Sequence, residues 1–202
     1  MKQQVISIHG GEVFDSYKEY INFLKEYKLK KEKPNKKRWP NFLQKNLGEK
    51  FEVLLPKMPN DLNAKYLEWK IWFEKLFPFL NKEVILIGGS LGGIFLVKYL
   101  SENKFPKKIK GLFLVAPPFD DKDYDYSLAD FNFKIKNLKN IEKQCKQINI
   151  YHSKDDPIVP FEDFKKYKKY LPKANFYEFK NRQHFGQEKF PEIIKDIKNL
   201  FK

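Results

Sequence analysis

Cysteine occurs once in this chain, at Cys145, so no disulfide can join two of its own cysteines and no cysteine-rich metal site can be built. No apolar run approaches the roughly 18 residues needed to span a bilayer. The chain enters a short β-like run at Val5–Ile8 without the long apolar stretch and small-residue cleavage site of a signal peptide. These absences predict a cytoplasmic protein with no membrane partner. Arginine is scarce as well, standing at Arg38 and Arg182 alone. That scarcity matters because 40 Lys and Arg face 26 Asp and Glu, a net charge of +14 that raises the question of nucleic acid. Arginine is the better fork for bidentate phosphate contact. The lysines are instead spread along the chain, often beside acids, as in Glu162–Lys169. The densest basic segment, Lys28–Arg38, is interrupted by Leu29, Glu32, Pro34 and Asn35 and reads as a solvated loop. No specific nucleic-acid partner is expected.

What is present suits one domain spanning residues 1–202. A chain of this length buries about 70% of the surface its unfolded form exposes, and 42% of its residues are hydrophobic. There is no internal repeat and no low-complexity linker. Short apolar runs alternate with longer amphipathic stretches. Strands are predicted at Val5–Ile8, Phe51–Leu55, Val84–Ile87, Gly111–Val115, Ile148–Tyr151 and Asn175–Phe179. Several are almost continuously apolar, as strands buried on both faces of a parallel sheet are. Helices are predicted at Ser16–Tyr27, Ala64–Phe77, Leu91–Ser101, Phe161–Tyr170 and Pro191–Phe201, with Asp15 or Ser16 capping the first. A short helix at Asn41–Asn46 is also expected. The alternation predicts an α/β fold with right-handed crossovers and a doubly wound sheet.

The sharpest local signal is Gly88-Gly89-Ser90-Leu91-Gly92-Gly93, which follows an apolar strand and opens a helical pattern. A serine on a tight strand-to-helix turn needs small neighbours two residues away, which Gly88 and Gly92 supply. A glycine turn that binds a dinucleotide would follow the first strand with another spacing; this one follows the third. Ser90 is therefore the candidate nucleophile. A serine hydroxyl needs a base, and the histidines are His9, His152 and His184. His9 and His152 end strands, whereas His184 lies in a loop between the last strand and the last helix. Position favours His184. A carboxylate to orient it would come from Asp155 or Asp156, in the loop leaving the fifth strand. An oxyanion needs backbone donors. Leu91, the residue after the serine, is one candidate, and the loop His9-Gly10-Gly11-Glu12 offers Gly11, or else Glu12.

These elements stand in the chain order of the α/β-hydrolase superfamily, which this sequence resembles. Asp155-Asp156-Pro157-Ile158-Val159-Pro160 is similar to that family's acid loop, in which the catalytic aspartate directly precedes the proline, and the likeness selects Asp156. His184-Phe185 resembles the histidine loop, with Gln183 where a glycine often stands. Met58-Pro59 followed by a helix bearing Trp69 and Trp72 is similar to compact serine hydrolases of the retinoblastoma-binding-protein-like type. That resemblance implies a three-layer α/β-hydrolase fold with a mostly parallel sheet of about six strands, helices on both faces and a minimal lid. It also implies cleavage of small carboxylic esters, or else amides or thioesters, through an acyl-enzyme. No cofactor and no metal would be needed. The competing expectation is a hydrolase-fold module whose task is to bind a protein. Two structural expectations complete the reading: Trp69 and Trp72 pack in the core, and Pro117–Lys139, with Phe119, Tyr124, Tyr126, Phe131 and Phe133, borders the site.

Overall fold

Every strand predicted from the sequence joins one sheet in the computed structural model, which describes residues 1–29, 38–122 and 127–202. In chain order the main elements are β1 (Gln3–Ile8), α1 (Tyr17–Glu26), α2 (Leu43–Leu47), β2 (Phe51–Leu54), α3 (Tyr66–Glu74), β3 (Glu83–Gly89) and α4 (Leu91–Glu102). They continue with β4 (Lys108–Val115), α5 (Lys139–Gln144), β5 (Ile148–Ser153), α6 (Phe161–Tyr170), β6 (Asn175–Phe179) and α7 (Pro191–Asn199). The sheet order is β2-β1-β3-β4-β5-β6, and every pairing is parallel.

Period-two alternation divides the core into two layers. Ile6, Ile8, Leu86, Leu112, Leu114 and Ile150 point to one face, where they meet Trp69 and Phe73 of α3, Phe95 of α4, Ile141 of α5 and Phe164 of α6. Val5, Ile85, Ile87, Phe113, Val115 and Tyr151 point to the other, against Leu43 and Leu47 of α2 and Ile193 and Ile197 of α7. Both faces of the central strands are thus covered, which explains their unbroken apolar runs. α1 buries no residue fully. Its start is capped by the Ser16 hydroxyl, which accepts from Glu19 N–H at 3.2 Å.

Several boundaries differ from expectation, each for a local reason. The helix predicted to reach Phe77 stops at Glu74, and the chain tightens into a 3-10 turn at Phe77–Phe79 around Pro78, whose nitrogen cannot donate. The helix expected at Asn41–Asn46 is a 3-10 turn at Trp39–Phe42 running into α2. Trp69 is fully buried but Trp72 is half exposed. The buried stripe of α3 runs through Tyr66, Trp69 and Phe73, and Trp72 falls at its edge. Pro117–Lys139 holds short 3-10 turns at Ala129–Phe131 and Ile135–Asn137, and α5 begins at Lys139, too short and uncapped to leave a sequence pattern. Phe119 and Phe131 are core residues. Phe119 packs on Tyr167 and Phe131 on Trp69. Tyr124 and Tyr126 lie outside the described residues, as does residues 30–37 of the basic segment. Among the described residues no helix is long and apolar enough to cross a membrane.

Candidate active site

The chain runs outward from β1 to β2, crosses back over β1 to β3, and then proceeds through β4 and β5 to β6. Connections therefore leave the carboxyl ends of β1 and β3 in opposite directions, which opens a crevice at that switch point. Ile8 pairs with Gly88, so the loop that begins at His9 lies beside the turn that carries Ser90.

Ser90 has φ 52 and ψ −124, a left-handed conformation that costs a residue with a β-carbon on the order of 1–3 kcal/mol. The surroundings hold it there. Its N–H donates to Val115 O at 2.9 Å, and its carbonyl accepts from Gly93 N–H at 2.8 Å. A β-carbon at Gly88 would strike the Gly92 carbonyl, and one at Gly92 would lie 2.5 Å from His9 O. The small-residue spacing around the serine is thus a packing requirement. α4 opens at Leu91. Among the described residues neither Leu91 N–H nor Gly11 N–H donates to a protein acceptor. The two residues adjoin, since a β-carbon on Gly11 would sit 3.2 Å from Leu91 Cδ2. Glu12 N–H, the other donor considered for that loop, is already bonded to Asp61 O at 2.8 Å.

The two adjacent aspartates do different things. Asp156 has a fully buried side chain and meets His184, with Nδ1 at 2.8 Å from Oδ2 and 3.0 Å from Oδ1. Its Oδ1 also accepts the N–H groups of Ile158 and Val159 at 2.9 and 3.0 Å. Asp155 turns toward the histidine loop, accepting from Ser153 Oγ at 2.5 Å and from Gln183 N–H at 3.0 Å. Those contacts, the Ser153 hydroxyl foremost, hold its carboxyl below the ordinary range. His184 is flanked by Gln183 and Phe185 at φ 46 and 52. A glycine would adopt the first of these without strain; Gln183 holds it with its N–H bonded to Asp155 Oδ1. Phe185 is buried and its carbonyl accepts from Trp39 Nε1 at 3.1 Å. No hydrogen bond joins Ser90 Oγ to His184 among the described residues.

His152 stands behind this pair. It is fully buried, and burial pushes its pKa down, so it is neutral. Its Nε2–H donates to Val159 O at 2.9 Å and lies 3.9 Å from Asp156 Oδ2. His9 was set aside on sequence position, but its ring nitrogens contact Gly10 O and Met58 N at 2.6 and 2.9 Å. Glu12 keeps part of its surface in solvent, yet the surrounding protein raises its carboxyl above the ordinary range, with the His184 imidazole opposing that rise. Among the described residues no group of three His, Cys, Asp or Glu is placed to hold a metal ion. A cleft of about 720 Å³ lined by Met1, Lys50, Phe51 and Phe201 lies at the amino ends of β1 and β2, the opposite end of the sheet from Ser90.

Residues 30–198 match the model of a family described as serine hydrolase. The serine hydrolase RBBP9 of Rattus norvegicus is 26% identical over 165 residues, which cover 80% of this chain and 86% of the rat protein. In shape the chain is similar to the ydeN gene product of B. subtilis, with a TM-score of 0.76, 21% identity and 99% of each chain covered. It is also similar to naproxen esterase (carboxylesterase NP) from Bacillus subtilis, with a TM-score of 0.64 and 14% identity over 100% of this chain and 84% of that one. These two likenesses show the fold. A family match that runs from ahead of α2 into α7, carried on an α/β-hydrolase sheet, places this chain in the serine hydrolase family.

Proposed function

We propose that Ser90, His184 and Asp156 act as a catalytic triad that hydrolyses small carboxylic esters through an acyl-enzyme, with amides or thioesters as further substrates of the same chemistry. The observation that carries this reading is the His184–Asp156 bond, in which a fully buried carboxylate holds Nδ1 of a partly exposed imidazole. A carboxylate accepts only a proton-bearing nitrogen, so Nδ1 carries the hydrogen and Nε2 is left as the acceptor a general base needs. Ser90 Oγ attacks the ester carbonyl carbon and passes its proton to His184 Nε2. The carbonyl oxygen becomes an anion stabilised by the N–H groups of Leu91 and Gly11. His184 then gives that proton to the departing alcohol, leaving an acyl group on Ser90. Water attacks the acyl carbon, His184 takes the water's proton, and collapse releases the acid and returns the proton to Ser90. Asp156 stabilises the imidazolium in both halves.

The unpaired Leu91 and Gly11 donors and the strained Ser90 turn support the same assignment. Bonds between nucleophile and base commonly tighten when substrate binds, so their absence in the free protein is compatible with it. The name of the structurally similar carboxylesterase agrees with an ester substrate. Labelling by a fluorophosphonate probe tests the reading. Wild type should be labelled, and Ser90→Ala and His184→Ala should not. A folded wild type that resists the probe would contradict it and favour a hydrolase-fold module that binds a protein.

A further inference from the structure

We infer that His9 is a positioning residue that aims the Gly11 amide at the oxyanion, and that it does so by holding the Gly10–Gly11 peptide plane in one orientation. The inference rests on the acyl-transfer reading above.

The tautomer of His9 is fixed by its partners. Met58 N is a backbone donor, so Nε2, at 2.9 Å, must accept. Nδ1 then bears the hydrogen and donates to Gly10 O at 2.6 Å. Gly10 O and Gly11 N–H belong to the same trans peptide, in which carbonyl and N–H point in opposite directions. Pinning the carbonyl toward His9 sets where the Gly11 N–H points. The pin matters because a peptide between two glycines is the most freely rotating kind. The loop is also close to the nucleophile: a β-carbon on Gly10 would lie 3.1 Å from Ser90 Cβ.

The far side of the clamp is the 58–64 segment after β2. Glu12 N–H donates to Asp61 O at 2.8 Å and Ala64 N–H to Glu12 O at 2.8 Å. These bonds fix the residue after Gly11, as His9 fixes the one before. The His9 ring packs edge-on against Trp69, centroids 5.7 Å apart, and Trp69 Nε1 donates to Pro59 O at 2.8 Å. Met58 and Trp69 thus belong to the support of the oxyanion loop. A displacement of about 1 Å in such a donor can cost on the order of 100-fold in rate.

Two conservative variants separate the two ring bonds. An asparagine amide occupies the place of Nδ1 and can still donate to Gly10 O. A glutamine amide occupies the place of Nε2 and keeps only the Met58 bond. Steady-state hydrolysis of a p-nitrophenyl ester and thermal melting would be measured for wild type, His9→Ala, His9→Asn and His9→Gln. The expected result is a fall in kcat of about 10- to 100-fold for His9→Ala and His9→Gln with KM little changed, and a kcat largely restored in His9→Asn. Folded His9→Ala and His9→Gln proteins with wild-type kcat would overturn the inference. Losses in kcat that follow the loss of melting temperature, alike in Asn and Gln, would overturn it too. If His9→Ala does not fold, the Asn and Gln comparison decides alone. A wild type without Ser90-dependent turnover would sink the acyl-transfer reading itself, a result distinct from either.

Discussion

At the scale of single residues, the informative pair is Asp155 and Asp156. They lie in the turn after β5, their side chains meet different partners, and each takes a separate task. Asp156 contacts the His184 ring, while Asp155 holds the backbone of the loop that carries it. Replacing Asp156 by Asn keeps the shape but makes the side chain a poor partner for the Nδ1–H tautomer. Its kcat should fall by about 10⁴-fold with an unchanged fold. Asp155→Asn weakens a loop anchor only, and its kcat should fall by about tenfold. Steady-state kinetics of both variants, with circular dichroism as the check on folding, measure this. Equal losses would contradict the division of labour. Before structure, the pair was separated by likeness to a family motif alone, since composition gives two adjacent aspartates identical standing. His9 was legible as a residue and illegible as a role, because the partner that fixes its tautomer lies 49 positions away.

At the scale of elements, the loop from β5 to α6 depends on a buried histidine. His152 pins Val159 O, and Val159 N–H bonds Asp156, so the acid loop folds around a neutral ring. Burial lowers the pKa of His152 from its ordinary value of 6.5. In the unfolded chain that ring gains a proton below about pH 6.5 while the folded protein resists it. The unfolded state then binds more protons, and stability falls with pH from that point downward. Glu12, whose carboxyl burial raises, works in the opposite direction, since the folded state takes up its proton first as pH falls. Urea unfolding midpoints should therefore drop between pH 7.5 and 5.5, and His152→Gln should flatten that slope. A midpoint independent of pH in the wild type would contradict it. Elements were read well where periodicity was strong. β3, β4 and α6 follow directly from apolar runs and amphipathic spacing. α5 and the 3-10 turns of residues 129–137 escaped notice because elements of three to six residues carry less than two turns of pattern.

At the scale of the whole molecule, parallel strands explain why residues far apart in sequence converge. Every strand of the sheet runs the same way, so the loops after β1, β3, β5 and β6 all emerge at one edge. Residues 9–12, 90, 155–156 and 184 stand on those four loops. Chain order and strand alternation were enough to foresee that gathering, whereas the clamp made by residues 58–64 arises from a crossover whose path no local pattern records. Of the lysines behind the net charge of +14, some are paired with acids, as in Lys110–Glu83 and Lys154–Glu178. The measurement closest to the central claim is mass analysis of protein mixed with an activated ester and quenched in acid within the first turnovers. A single acyl group on the peptide bearing Ser90, absent in Ser90→Ala, is the predicted result. Ester hydrolysis that persists in Ser90→Ala, or an acyl group on another residue, would contradict it.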